Sequence, residues 1–92
     1  MIDKNIKLLK ILVVAGGWSD EREVSLMSGR NVFSTLKRDK FNVIFLDIKK
    51  TNIDQILIFK PDIIFNSLHG EFGEDGGINS YAQRNNISIT HS

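Results

Sequence analysis

A three-layer α/β domain built on a parallel sheet of about four strands is the architecture to which this chain points. Two observations carry that expectation. Apolar runs of strand length alternate with segments of helical periodicity along the 92 residues, and turn-forming residues separate one from the next. The length suits one small domain and no second, because domains cluster near ~100–150 residues. A hydrophobic share of 41% beside 25% charged residues is ordinary for a globular chain and argues against wholesale disorder.

Ile11-Leu-Val-Val-Ala15 is continuous and rich in β-branched residues, as a strand buried on both faces is, and it stops at Gly16-Gly17. It reads as the first and central strand. From about Val24 to Asp39, Leu26, Gly29, Val32, Phe33 and Leu36 fall on one side of a helix, with Arg30, Ser34, Lys37 and Arg38 opposite. Gly29 inside that stripe costs ~1 kcal/mol relative to Ala, which a close approach of helix to strand would offset. Asn42–Asp47 reads as the second strand. Asn52 and Gln55 have the spacing of a modified capping box, which predicts a short helix carrying Ile53, Ile56 and Leu57. Pro61 lacks an amide hydrogen and biases Lys60 away from helix, so the third strand begins at Asp62 and runs to Asn66. Asp75 is expected to cap a third helix with Ile78, Tyr81 and Ala82, ending in a left-handed turn at Asn85-Asn86. Ser88–Thr90 is the fourth strand.

Right-handed crossovers then give the strand order 2-1-3-4. The first and third strands become neighbours, and the loops leaving them, Gly16–Arg22 and Ser67–Asp75, flank the point where the order reverses. Open α/β sheets bind ligands at that point.

Twelve Lys plus Arg against eleven Asp plus Glu leave a formal charge of +1, far from the basic excess of nucleic-acid binders, so no nucleic acid is expected as a partner. The absence of cysteine excludes a disulfide framework and a thiolate metal site. The longest apolar stretch, Ile11–Ala15, falls far short of the ~20 residues that span a bilayer, and the first ten residues contain Asp3 and no signal-peptide apolar core. A cytoplasmic protein with no membrane contact is expected.

The first loop sets Gly16 and Gly17 before Ser19, Asp20, Glu21, Arg22 and Glu23. Two glycines permit an unusual backbone close to a ligand, but a tight turn with nothing bound accounts for them equally, and the third glycine of a dinucleotide fingerprint is missing. Its acids also suit the start of a helix. The second loop is more informative, with Gly70, Gly73, Gly76 and Gly77 around His69, Glu71, Glu74 and Asp75. His69 alone is explained by a hydrogen bond to a neighbouring carbonyl. With Glu74 and Asp75 it suggests a metal site, against which stand the lone histidine and the capping use of the carboxylates, so no metal is assigned. Six of the eleven acidic residues lie in the stretches Gly16–Ser25 and Ser67–Gly77, with Arg22 the single basic residue inside them. An acidic crevice suits an ammonium group better than a bare polyphosphate.

Gly16-Gly17-x-Ser19-x-Glu21-x-Glu23-Val24-Ser25-x-x-Ser28-Gly29 and Leu68-His69-Gly70-x-x-Gly73-Glu74-Asp75-Gly76 resemble the two signature segments of the N-terminal domain of D-alanine–D-alanine ligases, in the same order. The resemblance covers nearly the whole chain. It implies a Rossmann-like pre-ATP-grasp fold and a part in the ATP-dependent joining of two D-alanines for peptidoglycan, in which the carboxylate of the first is phosphorylated and the amine of the second attacks the acyl phosphate. It implies that Glu21, the catalytic candidate, holds the ammonium of the first D-alanine, that Val24 lines its methyl pocket, and that His69 lies by its carboxylate. Gly16, Gly17, Gly70, Gly73 and Gly76 would let the backbone fold around the site.

Gly77, Asn79-Ser80 and His91 depart from the family's usual residues, near the junction with a following domain more than at the pocket. The resemblance implies ATP and Mg2+ for a complete enzyme, with none bound by this chain alone. The expected partners are D-alanine and a separate or missing ATP-grasp portion, with homodimer formation left open. Residues 1–92 are thus expected to be a single N-terminal domain, without the ATP-grasp domains and inactive by themselves. The alternative is a non-catalytic module that binds a small molecule, or a docking domain using Trp18 and Met27. A receiver domain is disfavoured, because Asn66 and Ser67 stand where its phosphorylatable Asp belongs.

Overall fold

The computed structural model describes residues 7–70, 72 and 76–90. Its elements run β1 (Lys10–Gly16), α1 (Arg22–Arg38), β2 (Asn42–Ile48), α2 (Gln55–Phe59), β3 (Ile63–Asn66), α3 (Gly77–Arg84) and β4 (Ser88–Ile89). The four strands form one sheet in the order β2-β1-β3-β4, all pairs parallel. This is the expected topology, and it follows from the pattern of apolar runs separated by helices.

Alternation along β1 splits the core in two. Leu12 and Val14 join Leu46, Ile48, Ile56, Ile64, Leu68, Ile78 and Ala82 on the face covered by α2 and α3. Ile11, Val13 and Val43 pack with Val32, Phe33, Leu36 and Phe45 on the face covered by α1. Both sides of β1 are therefore dry, which is why its sequence is continuously apolar rather than alternating.

Gly29 permits α1 to lie close to the sheet. A Cβ at that position would stand 2.5 Å from Ala15 Cβ and 3.2 Å from the Phe45 ring, so the helix would have to lift. The anticipated cost of a mid-helix glycine is offset by this approach.

One local expectation is corrected. Asn52 does not cap α2. Its Oδ1 accepts the Lys49 N–H at 2.8 Å and its Nδ2 donates to the Asp47 carbonyl at 2.9 Å, so the side chain closes the turn after β2 and has nothing left for the helix. Asp54 occupies the N-cap without a side-chain bond. Lys60 leaves α2 in the left-handed conformation, φ 49°. At the other end of the chain Asn86 supplies the expected left-handed turn, φ 57°. Gly76 holds the N-cap position of α3, and Asp75 lies outside the described residues.

Candidate functional site

The loops after β1 and β3 leave from adjacent strands, and the bonds between them define the site. The Ser67 N–H donates to the Val14 carbonyl at 2.9 Å, extending the β1–β3 pairing by one step beyond Asn66. Ser25, fully buried in the first turns of α1, then ties three segments together. Its Oγ accepts the Gly16 N–H at 2.9 Å and donates to the Ser67 carbonyl at 2.6 Å. A helix side chain thus satisfies one orphan donor and one orphan acceptor at the ends of the two strands, where no ladder continues.

Arg22 fixes the first loop from outside. Its guanidinium pairs with both carboxylate oxygens of Asp47 on β2, at 2.9 and 2.7 Å, and donates to the Gly17 carbonyl at 3.0 Å. The hydrogen bond with Asp47 raises the Arg22 pKa above its ordinary value despite opposing desolvation. The one cation inside the loop segments is consequently spent on β2. Asp20, Glu21 and Glu23 are all exposed, and the charge of Glu23 adds to the raising of the Arg22 pKa.

Ser19 joins the loops directly. Its hydroxyl donates to the His69 carbonyl at 2.9 Å and accepts the Glu21 N–H at 3.1 Å, so one oxygen atom connects the backbones of the two candidate residues. Glu21 is the N-cap residue of α1, yet its carboxylate makes no capping bond. The carboxylate instead lies over Gly70, where a Cβ would stand 4.0 Å from Glu21 Oε2 and 2.6 Å from Ser19 Oγ. Gly70 also has φ +74°, so both its backbone and its lack of a side chain are needed for the loops to meet.

Of the sequence candidates, Glu21, His69, Gly70, Gly16 and Gly17 are gathered at this rim. His69 is half-buried, and Val24, in the first turn of α1, is 56% exposed although apolar. Gly76 sits apart as the entry to α3. Gly73, with Glu71, Glu74 and Asp75, lies outside the described residues. Among the described residues no group of three or more His, Asp or Glu has the spacing to hold a metal ion, and no helix is long and apolar enough to cross a membrane.

The sequence reading missed Ser25 as a bridge and the Arg22–Asp47 pair. For Ser25 a signal existed: it falls on the apolar stripe of α1, in line with Gly29, Val32 and Leu36, and a hydroxyl on a buried stripe implies a buried polar partner.

Comparison with known proteins bears on the family and the fold. The model of the D-ala D-ala ligase N-terminus family matches residues 10–57. The D-alanine–D-alanine ligase of Parvibaculum lavamentivorans is 43% identical over 82 residues, 89% of this chain and 27% of the relative. That of Pelagibacter ubique is 43% identical over 83 residues, 90% of this chain and 27% of the relative. Among solved structures, a D-alanine–D-alanine ligase from Bacillus anthracis complexed with ATP superposes with TM-score 0.75 at 29% identity, covering 89% of this chain and 28% of that one. The chain spans about a quarter of the length of the curated relatives it matches. These relatives favour a ligase part over a stand-alone binding or docking module.

Proposed function

The chain belongs to the D-ala D-ala ligase N-terminus family, and on that premise we propose that it forms the D-alanine-binding half of an ATP-dependent D-alanine–D-alanine ligase, with the ATP-grasp portion supplied by polypeptide beyond these residues or by a separate chain. One observation carries the reading: the Ser19 hydroxyl links the Glu21 amide to the His69 carbonyl, with the Glu21 carboxylate over Gly70.

In this reading Glu21 accepts a charge-assisted hydrogen bond from the ammonium of the first D-alanine. Its role is orientation rather than proton transfer, since gripping the ammonium aims the substrate carboxylate at the position where it is activated. His69 lies on the carboxylate side. Val24, apolar and exposed at the first turn of α1, forms a wall for the methyl group. Arg22 bonds Asp47 and the Gly17 carbonyl and so braces the loop that carries Glu21. ATP, with Mg2+, supplies the phosphoryl group that activates the carboxylate, and its binding residues belong to the other portion. Without that electrostatic clamp this half performs no turnover by itself. The reaction is cytoplasmic, where ATP and free D-alanine meet.

The test is reconstitution. The chain mixed with the separately produced ATP-grasp portion of a relative should release phosphate in a D-alanine-dependent manner, while neither part does so alone. Glu21→Gln should lower turnover by about a hundredfold, the scale of a misplaced substrate. Unchanged turnover would reject the anchoring role.

A further inference from the structure

The only tryptophan of the chain, Trp18, sits between Gly17 and the Ser19 bridge. Its ring lies 5.2 Å from the Phe72 ring, centroid to centroid, at 31°. Both side chains also pack on the core cluster beneath α2 and α3, and the Lys50 ammonium stands 5.5 Å from the Trp18 ring centroid. Phe72 has φ +69°, a left-handed conformation that a bulky residue adopts only when its surroundings impose it. Contacts that hold Phe72 there include the Trp18 ring on its side chain and the Ile78 N–H, which donates to its carbonyl at 2.7 Å.

Neighbouring residues of the first loop therefore grip the second at two points, Ser19 at His69 and Trp18 at Phe72. Gly70, under the Glu21 carboxylate, lies between those points. Leu68, fully buried, and the Ser19 bond hold His69 from one side, and the Trp18 ring holds Phe72 three residues further on. We propose that Trp18 and Phe72 form an aromatic clasp that acts as a positioning pair, setting the His69–Gly70 segment against Glu21 so that the ammonium and carboxylate of D-alanine are received at a fixed separation. The role rests on the ligase reading; the clasp itself does not.

The test has two arms. In the isolated chain, the single tryptophan reports the contact: Phe72→Ala should move Trp18 emission to the red, and Trp18→Ala should shift the His69 and Gly70 amide resonances while Trp18→Phe largely restores them. Unchanged emission and unchanged amide positions would overturn the clasp. In the reconstituted ligase, Trp18→Ala and Phe72→Ala should each raise the KM for D-alanine about tenfold with kcat little altered, as expected when ground-state orientation is lost. The double variant should be no worse than either single one, because both remove the same contact. A fall in kcat in proportion to the folded fraction, with KM unmoved, would reduce the pair to a structural contact and overturn the positioning role. If Glu21→Gln is also silent, the ligase reading fails, while the emission and amide arm still decides the clasp.

Discussion

The segment from Gly16 to Arg22 is fastened by polar bonds to Ser25 of α1 and, through Arg22, to Asp47 of β2, whereas the second segment is anchored by Leu68, fully buried in the core, and is joined to the first at His69 and Phe72. The first segment supplies the cross-contacts, and the second, anchored at Leu68, receives them at His69 and Phe72. The contrast implies a hierarchy. Damage to the scaffold contacts disturbs both segments and the fold, while damage to the cross-contacts stays at the rim.

The largest effect is expected where scaffold and helix meet. Gly29→Val puts side-chain atoms where a Cβ alone stands 2.5 Å from Ala15 Cβ, and overpacking of this kind should cost about 3 kcal/mol in urea unfolding. An unchanged midpoint would mean that α1 does not lie as close as described. Ser25→Ala comes next, because it strips partners from a buried N–H and a buried carbonyl. A loss of about 2 kcal/mol is expected, with amide shifts in both segments. Shifts in one segment alone would break the hierarchy. Ser19→Ala sharpens it from the other side: a cost of about 1 kcal/mol or less, with amide changes centred on residues 19–21 and 68–70.

The smallest effect serves as a control remote from the rim. The lone tyrosine, Tyr81, donates to Asp54 Oδ1 at 3.2 Å, and its pKa is raised above 10, first by burial and then by that hydrogen bond. Because the folded chain holds this proton more tightly than the unfolded one, its stabilising contribution is complete below the unfolded pKa and is lost as pH rises through the raised value. Absorbance titration should show a midpoint above that of free tyrosine, moved partway back by Asp54→Asn. An Asp54→Asn titration identical to that of the unaltered chain would show that the hydrogen bond contributes nothing.

Sequence pattern revealed the scaffold more fully than it revealed the rim, for a physical reason. Strand order, the central position of β1 and the meeting of the two loops all follow from local periodicity and handedness, which are written in neighbouring residues. The Ser25–Ser67 and Arg22–Asp47 contacts join residues 42 and 25 positions apart, and the Trp18–Phe72 stacking is likewise remote in sequence. Nothing local specifies such pairs. Asn52 failed in the opposite way: its local signal fits a helix cap, but the adjacent turn offered the same amide a donor and an acceptor together.

Titrating D-alanine into the isotopically labelled chain while recording amide resonances tests the two-segment half-site most directly. Weak binding is expected, in which Ser19–Val24 and Leu68–Gly70 respond together along one isotherm, with Glu21→Gln abolishing the response in both. A response confined to one segment, or one that survives Glu21→Gln intact, would contradict it.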